Sequence, residues 1–486
     1  MHKATRHTNR GTVKTFMTLR FSPRRRPPKL PLPANVVKCT SFMKKLISLA
    51  AACFLHSPTL AEVDIPQDLA TYLARPEPAA TWSVAQQQTM GNCEVVQLKL
   101  TSQTWQGLVW EHDLVIFIPS GASSKTVVLL NEGGKADPKN ALMGTLVASK
   151  VKAPVAILLG VPRQPLFDGK SEDDLIAETF VRYLETGDGS WPLLFPMVKS
   201  LIKAMDAIQE LSTQKWSAPT ERFIVGGASK RGWTTWLAAA SDPRVMAITP
   251  MVIDTLNMQA QLPHQIKSFG GPSEQIEPYT KRGLVPLPDT SAARKLWHMV
   301  DPWAYRAKFT MPKLVVLGNN DRYWSTDALN LYWDDLPGDK YLSYTPNAGH
   351  DLTERTAQGK KLSPMRALNN VGAFVRHLLT ETPMPKLSWK HDDAPDGQLR
   401  LTVTADPKPQ QAQFWVATGP TRDLREARWE ARPLEVPAEG PLVVTLPRPN
   451  SGHTAFFADL GYQIEDIPQW LSTQLRIAGS ETTLPQ

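Results

Sequence analysis

Several short apolar runs, each followed by glycine or asparagine, constrain the fold of this chain more than any other feature of its sequence. The clearest lie at residues 126–130, 155–159, 223–226 and 312–317. Runs that are apolar on both faces are typical of a parallel sheet that helices cover on both sides. Such sheets bind ligands in the loops that follow the carboxyl ends of their strands. The sequence therefore predicts a mostly parallel sheet whose functional residues lie in these loops.

The most informative stretch, residues 222–240, reads as a strand, a sharp turn that carries Ser229, and a helix. An α/β-hydrolase raises its nucleophilic serine above the sheet on such a turn, and glycines are needed there because side chains would collide with the neighbouring strand and helix. We therefore predict an α/β-hydrolase fold, a mostly parallel sheet flanked by helices, with Ser229 as nucleophile. The alternative is that Ser229 only caps the following helix.

Two further residues at strand ends complete an ordered set. Asp321 follows the run at 312–317, and His350 follows a later strand at 340–344. Serine, acid and histidine occur in this order in α/β-hydrolases. The serine needs an imidazole to take its proton, and the imidazole needs a carboxylate to hold its tautomer. We predict that Asp321 is the acid and His350 the base. The alternatives are a turn-capping Asp321, with Asp254 as the competing acid, and a structural histidine at position 350.

The same interpretation assigns an oxyanion site and the walls of a pocket. The backbone N–H of Lys230 and one from Gly133 or Gly134 are predicted to bind the oxyanion, although the two glycines also suit a plain turn. The candidate pocket walls are aromatic side chains, a class that is also common in cores. These aromatic residues are Trp233, Trp303, Tyr323 and Trp324.

We expect neither a metal nor an organic cofactor. The histidines beyond residue 62 lack metal-ligand spacing, and no G-x-G-x-x-G motif follows the first parallel strand. The predicted partner is a substrate, namely a small molecule, a glycan ester or a peptide.

Charge is distributed unevenly along the 486 residues. Residues 1–61 contain 12 of the 54 Lys and Arg and none of the 46 Asp and Glu, which leaves 42 basic and 46 acidic residues in the remainder. The formal net charge of +8 therefore originates in the N-terminal segment, and the basic surface expected of a nucleic-acid-binding protein is missing. No apolar run of 18 or more residues follows residue 62, so no membrane span is predicted.

The basic N-terminal segment has the pattern of a targeting sequence. A short positive region that begins at Met43 precedes an apolar run at 46–55 and small residues before a cleavage site after Ala61. We predict a signal peptide at 43–61, an upstream extension without a fold of its own at 1–42, and a periplasmic or secreted protein. A buried apolar helix is the alternative to the signal peptide.

A change of pattern divides the remaining chain. The α/β pattern covers residues 62–384, within which about 255–310 are predicted to form a cap insertion above the strand ends. From residue 385 to 486, short strands separated by turns predict an all-β domain, an immunoglobulin-like or fibronectin-like sandwich.

Two local predictions concern the ends of the sheet. Alternating residues at 93–101 and a second strand at 113–119 predict an antiparallel pair at the sheet edge. A helix is predicted at about 327–336, after the strand that precedes Asp321.

The strand-end motifs also resemble those of a known family. They are Gly-Gly-Ala-Ser-Lys-Arg-Gly-Trp-Thr-Thr-Trp at 226–236, Trp-Glu-His at 110–112, Met-Pro-Lys-Leu at 311–314, Gly-Asn-Asn-Asp-Arg-Tyr-Trp at 318–324 and Pro-Asn-Ala-Gly-His at 346–350. Together they make the chain similar to the PhoPQ-activated pathogenicity-related protein family, of the PqaA type, over nearly all of residues 62–480. The resemblance implies an exported α/β-hydrolase-like protein, associated in bacteria with virulence regulation and survival of host defences. It assigns the nucleophile to Ser229, the acid to Asp321 and the base to His350.

The turn at Ser229 departs from the general hydrolase pattern. Arg231 stands where the second glycine is usual, and Gly232 follows one position later. This Gly-x-Ser-x-x-Gly spacing is similar to that of glucuronoyl esterases, in which a basic residue after the serine helps to stabilise the oxyanion. The resemblance extends this role to Lys230.

Two hypotheses of function result. The first is an exported serine hydrolase that cleaves an ester or amide through an acyl-enzyme on Ser229. The second is a catalytically silent binding or signalling protein that keeps the fold and is linked to virulence or resistance to host defences.

Overall fold

The described residues include a central nine-stranded β-sheet. The computed structural model describes residues 64–480 apart from 123–124, 217 and 357, and it does not describe the side chains of 138–140. The predicted extension at 1–42 and the signal peptide at 43–61 lie outside the described residues.

The nine strands lie in the order β1-β2-β3-β5-β4-β6-β7-β8-β9. In chain order they are β1 Thr81–Met90, β2 Cys93–Trp105, β3 Leu108–Pro119, β4 Thr126–Asn131, β5 Val155–Leu158, β6 Arg222–Ala228, β7 Val245–Met251, β8 Lys313–Gly318 and β9 Lys340–Thr345. The first three strands are antiparallel, β3 is antiparallel to β5, and the pairs from β5 to β9 are parallel. This mostly parallel sheet with crossed strands β4 and β5 is α/β-hydrolase-like, as predicted.

Strand β1 was not predicted, and it lies at the edge of the sheet. The predicted antiparallel pair is present as β2 and β3, but β1 pairs with the outer side of β2 and becomes the edge. Nearly all of the β1 side chains are exposed, so its sequence lacks the apolar alternation that marks a strand with one buried face. The prediction of the edge was therefore wrong by one strand.

Nine α-helices connect and cover the described strands. They are α1 Asp68–Leu73, α2 Pro138–Val151, α3 Glu172–Thr186, α4 Leu194–Lys215, α5 Lys230–Ser241, α6 Met258–Phe269, α7 Glu277–Thr280, α8 Ser291–Val300 and α9 Met365–Leu379. Helices α6 to α8 lie between β7 and β8, within the segment 255–310. None of the described helices has the length and apolar character that crossing a bilayer requires.

The helix predicted at 327–336 is not formed. Only a short 3-10 helix, Ala328–Leu331, is present there. The side chains of Tyr332 and Trp333 are both buried, and the Lys340 ammonium binds the carbonyls of Trp333 and Leu336. Because a neighbouring strand satisfies these carbonyls, the chain can leave the helical path without orphaned backbone groups.

After α9 the chain forms antiparallel β-sheets. Their strands are β10 Lys386–Asp393, β11 Leu399–Asp406, β12 Gln411–Gly419, β13 Glu430–Leu434, β14 Leu442–Leu446, β15 His453–Ile464, β16 Ile467–Ser472 and β17 Arg476–Gly479. One sheet has the order β10-β11-β14, and the other has the order β13-β12-β15-β16 with β17 paired to β15. The predicted all-β character is confirmed, whereas the strand predicted at 471–477 is divided between β16 and β17.

The C-terminal sheets pack directly against the α/β part. The backbone N–H of Trp470 in β16 donates to Oδ1 of Asn370 in α9 over 2.8 Å. Arg366, also in α9, forms an ion pair with the fully buried Asp459 of β15. Charges that are buried in this way are costly to separate, so α9 and the two strands are held together.

Candidate active site

The backbone at Ser229 is bent sharply between β6 and α5. Its φ is 58° and its ψ is −129°, a region that residues other than glycine rarely occupy and that costs about 1–3 kcal/mol. A Cβ at Gly227 would lie 2.5 Å from Nδ2 of Asn131, and one at Gly232 would lie 2.6 Å from a methyl group of Ile253. The glycines are therefore required for close packing, and the later glycine at position 232 serves this turn. Within the described chain the Ser229 side chain makes no hydrogen bond that caps α5.

Asp321 holds one side of the His350 ring. The Oδ2 atom of Asp321 lies 2.7 Å from Nδ1 of His350, and its Oδ1 accepts the backbone N–H of Tyr323 over 2.9 Å. The ring of Tyr323 packs on the imidazole with a centroid separation of 4.3 Å. Since the carboxylate accepts a hydrogen bond, Nδ1 carries the proton. The opposite atom, Nε2, is buried and has no hydrogen-bond partner among the described residues.

Asp254, the competing acid, has a different partner. Its Oδ1 accepts the hydroxyl of Tyr332 over 2.5 Å. Burial raises the pKa of Asp254 to about 7, and this exceeds the lowering effect of the Tyr332 hydrogen bond. The structure thus pairs His350 with Asp321 and places Asp254 against a tyrosine.

Ser229 and His350 line one pocket with a cavity volume of about 40 Å³. Most of its other walls are apolar and come from the segment 255–310 and from α5. The described lining residues are Asp173, Ser229, Lys230, Trp233, Val252, Ile253, Thr255, Met258, Leu262, Ile276, Tyr279, Val285, Trp297, Tyr323, Trp324 and His350. The pocket therefore offers an apolar space next to a serine and a histidine.

Three of the four predicted aromatic walls lie in this pocket. Trp233, Tyr323 and Trp324 line it, and Trp297 is a wall that the sequence analysis did not name. Trp303 does not occur among the described lining residues, because its ring packs under the Arg306 guanidinium at 4.4 Å.

A charged cluster that the sequence analysis missed borders the pocket. The ammonium of Lys230 lies 2.8 Å from Oε2 of Glu172 and 3.3 Å from Oδ2 of Asp173. Asp173 also accepts the hydroxyl groups of Tyr279 and Tyr323, at 3.2 and 3.1 Å. The run Glu-Asp-Asp at the start of α3 was the available signal, but acidic residues in a first helical turn usually only complement the helix dipole.

Arg231 fastens the turn at Ser229 to the surrounding loops. Its guanidinium donates to both carboxylate oxygens of Glu172, at 2.7 Å each, and its Nε donates to the carbonyl of Val161 at 2.6 Å. Burial raises the pKa of Glu172, but Arg231 and Lys230 outweigh this effect and hold the pKa well below its usual range.

The loop with Gly133 and Gly134, the other predicted oxyanion donors, lies against the Arg231 guanidinium. A Cβ at Gly133 would lie 1.8 Å from the Arg231 guanidinium, and the N–H of Gly133 donates to Oε2 of Glu132. Neither glycine is among the described residues that line the pocket of Ser229. Gly133 is thus explained by the space that Arg231 needs. Lys230, the first residue of α5, does line the pocket.

Two asparagines join the loops of Asp321 and His350 to the C-terminal part. Nδ2 of Asn320 donates to the carbonyls of Leu424, Arg425 and Ala427, of which the last is nearest at 2.7 Å. Asn347 exchanges two hydrogen bonds with the backbone of Trp429, at 2.8 and 2.9 Å. The segment 424–429 is therefore attached to both loops.

The sequence of this chain matches the profile of one protein family, described as PhoPQ-activated pathogenicity-related protein, over residues 69–425. This match covers more than half of the chain. The chain belongs to the PhoPQ-activated pathogenicity-related family. Autocrine proliferation repressor protein A of Dictyostelium discoideum is 31% identical over 402 residues, which cover 75% of this chain and 80% of that protein.

Solved structures with a similar chain path include several esterases. Acetyl xylan esterase 1 from Thermoanaerobacterium has a TM-score of 0.43 and 15% sequence identity. The match covers 59% of this chain and 90% of the esterase. A glucuronoyl esterase from Solibacter usitatus has a TM-score of 0.37 and 12% identity, over 60% and 88% of the two chains.

Proposed function

We propose that this protein is a serine hydrolase that cleaves an ester or an amide through an acyl-enzyme on Ser229. The observation that carries the proposal is the pocket that Ser229, on its strained turn, and His350 both line. Nδ1 of His350 is bonded to Asp321, and its Nε2 has no hydrogen-bond partner among the described residues. A hydrolase needs a nucleophile, a base beside it and a carboxylate behind the base, and the three residues supply these in the order of α/β-hydrolases.

In the first half of the proposed reaction, Nε2 of His350 takes the proton of the Ser229 hydroxyl as the oxygen attacks the carbonyl carbon. Asp321 keeps the proton on Nδ1 and stabilises the imidazolium that forms. The bond to the leaving group then breaks, and His350 gives its proton to the departing oxygen or nitrogen. In the second half, a water molecule that His350 deprotonates attacks the acyl-enzyme and releases the acid.

We assign the oxyanion to the N-terminus of α5. The backbone N–H of Lys230 is one of the first helical amides, which have no acceptor within the helix, and the helix dipole favours negative charge there. The Lys230 side chain is the second proposed donor, since Lys230 is among the described residues that line the pocket. Its pairing with Glu172 and Asp173 fixes it in place and reduces its net charge, so it acts mainly as a directed hydrogen-bond donor.

The proposed substrate is a small molecule, a glycan ester or a peptide whose acyl side is apolar. The pocket walls that border Ser229 include Trp233, Trp297 and Met258, and burying an apolar group there is favoured by about 25 cal/mol per Å² of surface. We propose further that the protein is periplasmic or secreted and acts without a metal or organic cofactor. Among the described residues, no group of three or more His, Cys, Asp or Glu is arranged to hold a metal ion.

The C-terminal strands are proposed to form an immunoglobulin-like or fibronectin-like sandwich, in a domain that begins at residue 385. Side chains of both sheets share one apolar cluster, for example Leu401 and Val444 from one sheet and Phe456 from the other. This shared core supports the packing of two sheets face to face.

The second candidate function is a binding or signalling protein without catalytic activity. Its support is the name of the Dictyostelium relative, which describes an autocrine repressor of proliferation. In this case the cap and the C-terminal sheets are the proposed partner surface.

A fluorophosphonate probe separates the two candidates. We expect the purified protein to be labelled once per chain, Ser229→Ala to remain unlabelled, and His350→Gln to be labelled roughly a thousandfold more slowly, since each triad member contributes steeply to activation. Ser241→Ala is the control, because this serine lies on the same helix and bonds only to a helical carbonyl in the described structure. Folded wild-type protein that stays unlabelled would favour the signalling candidate.

A further inference from the structure

A second, open cleft adjoins the apolar pocket and shares His350 and Tyr323 with it. Its cavity of about 670 Å³ opens to solvent, and its walls come mainly from the loops of Asp321 and His350 and from the segment 424–429. The described lining residues are Gln275, Asn320, Arg322, Tyr323, Asn347, Gly349, His350, Asp351, Arg355, Thr356, Gly359, Arg425, Glu426, Ala427 and Arg428. Ser229 lines the pocket and is absent from these cleft residues.

Arginines outnumber the acids among the described residues that line the cleft. Four of its described lining residues are arginines, against the two acids Asp351 and Glu426. Arg322 and Arg425 are both held by Glu274, at 2.5 and 2.7 Å, and pair in addition with Glu426 and Asp423 respectively. Their guanidinium groups therefore have fixed positions, and their charge is partly balanced. Arg355 and Arg428 are exposed, as is Arg322, and Arg355 lies 3.7 Å from Asp351. Guanidinium groups favour planar anions such as carboxylates, with which they form paired hydrogen bonds.

Because His350 lines both the pocket and the cleft, its position determines how a bound substrate is oriented. The acyl carbon must lie at Ser229, and the atom that leaves must take a proton from Nε2 of His350. The acyl side then occupies the apolar pocket, which Ser229 lines. The leaving group extends past His350 into the cleft, which Ser229 does not line among the described residues.

We infer that the cleft is the leaving-group subsite and that it takes an alcohol or amine carrying a carboxylate or a similar anion. The inference rests on the proposed hydrolase function and specifies its substrate class. In the step concerned, Oγ of Ser229 bonds to the acyl carbon and the bond from that carbon to the leaving oxygen or nitrogen breaks. The proton from Ser229 passes through His350 to the leaving atom, and the anionic product departs through the cleft.

Three esters with one acyl group provide the test. They are the phenolic butyryl esters of 3-(4-hydroxyphenyl)propionate, which is anionic, of its neutral amide, and of tyramine, which is cationic. In each compound two methylene groups separate the phenol ring from the carboxylate, amide or ammonium group. All three give the same acyl-enzyme, so differences in kcat/KM report the acylation step alone. We expect kcat/KM to be about threefold to tenfold higher for the anionic than for the neutral ester, and lowest for the cationic one, which is the range of partly exposed charge-assisted contacts. Added salt should reduce the preference.

Arg355→Gln/Arg428→Gln should bring the ratio of kcat/KM for the anionic ester to kcat/KM for the neutral ester close to one. Arg432→Gln is the matched control, because it removes an exposed arginine that packs on Phe414 outside the cleft. Equal kcat/KM for the three esters would overturn the inference. So would a ratio of kcat/KM, anionic to neutral ester, that the double variant and Arg432→Gln change alike. In either case labelling of Ser229 would leave the hydrolase proposal intact. Absence of both ester turnover and Ser229 labelling in folded protein would overturn the two together. The wild-type ester series and its salt dependence decide the matter even where the double variant does not fold.

Discussion

Asp254 and Asp321 are both buried carboxylates near the candidate site, and their partners give them different chemistry. Asp321 binds an imidazole and a backbone amide, whereas Asp254 has the Tyr332 hydroxyl. A carboxylate without a cationic partner is costly to ionise when buried, which is the physical reason for the raised pKa of Asp254. Asp254 is therefore a group whose protonation is linked to folding.

The raised pKa of Asp254 predicts a specific pH dependence of stability. Between about pH 4 and pH 7 the unfolded chain ionises this residue while the folded chain keeps its proton, so the free energy of unfolding falls as the pH rises. Asp254→Asn mimics the protonated form. We expect it to gain roughly 1–3 kcal/mol relative to wild type between pH 4.5 and pH 8, measured by urea unfolding.

Asp351→Asn is the control for this measurement. Burial raises the pKa of Asp351, but Lys361 and the N–H of Thr353 outweigh it and lower the pKa below its usual value. Its linked stability is present above about pH 4 and is lost below that pH, outside the window used. A pH-dependent difference for Asp351→Asn, or none for Asp254→Asn, would contradict the assignment.

The sequence identified Asp321 and His350 because each follows a predicted strand, and strand ends meet at one edge of a parallel sheet. Asp254 stayed open as the competing acid, since both carboxylates follow strands and only the packed structure shows which of them reaches the imidazole. Asp173 was missed for another reason. It belongs to a helix start after a long loop, and no local pattern brings that point to Ser229.

At the scale of elements, the contact between Arg231 and Gly133 links α5 to the loop after β4. The Arg231 guanidinium is held by Glu172 and Val161, so it has little freedom to move away from a new side chain. The two adjacent glycines of this loop differ in their surroundings, because nothing lies within 4 Å of a Cβ at Gly134.

Gly133→Ala and Gly134→Ala therefore form a matched pair. We expect Gly133→Ala to lower the free energy of unfolding by about 1–3 kcal/mol, because the methyl group displaces a buried, paired guanidinium. Gly134→Ala should stay within about 0.5 kcal/mol of wild type. Denaturant unfolding at constant pH measures both, and equal losses in the two variants would refute the proposed contact.

Most parallel strands and the turn at Ser229 could be predicted because a doubly covered strand has a strong apolar signal and the turn needs glycine. Elements that are stabilised by contacts with residues distant in the sequence could not be predicted. Strand β1 is polar and is held by pairing with β2, and the segment after Asp327 is shaped by buried aromatic residues and by Lys340. Both depend on partners that are distant in the sequence.

At the scale of the whole molecule, the C-terminal part contacts the two loops that carry Asp321 and His350. Asn347 binds the backbone of Trp429 next to the His350 loop, and Asn330 binds Leu475 and Gln474 elsewhere on the same interface. Both asparagines bridge the same two parts of the chain, but only Asn347 lies beside the site.

Asn347→Gly and Asn330→Ala separate positioning from general stability. Asn347 has a φ of 56°, so glycine removes its side chain without adding backbone strain. We expect each variant to lose about 1–2 kcal/mol of unfolding free energy, and fluorophosphonate labelling to become roughly tenfold slower in Asn347→Gly alone, because misplaced catalytic groups react slowly. Equal labelling rates in the two variants would show that Asn347 has only a structural role.

The attachment of both loops to the segment 424–429 also has a consequence in time. A chain is synthesised from its N-terminus, so Ser229, Asp321 and His350 are all complete before Trp429 has been added. The loops of the acid and the base gain their hydrogen bonds to this segment only when the C-terminal strands have been made and have folded. Under the proposed function, a nascent or truncated chain would carry all three reactive side chains and yet be a poor hydrolase, so activity would begin only after the whole protein is finished.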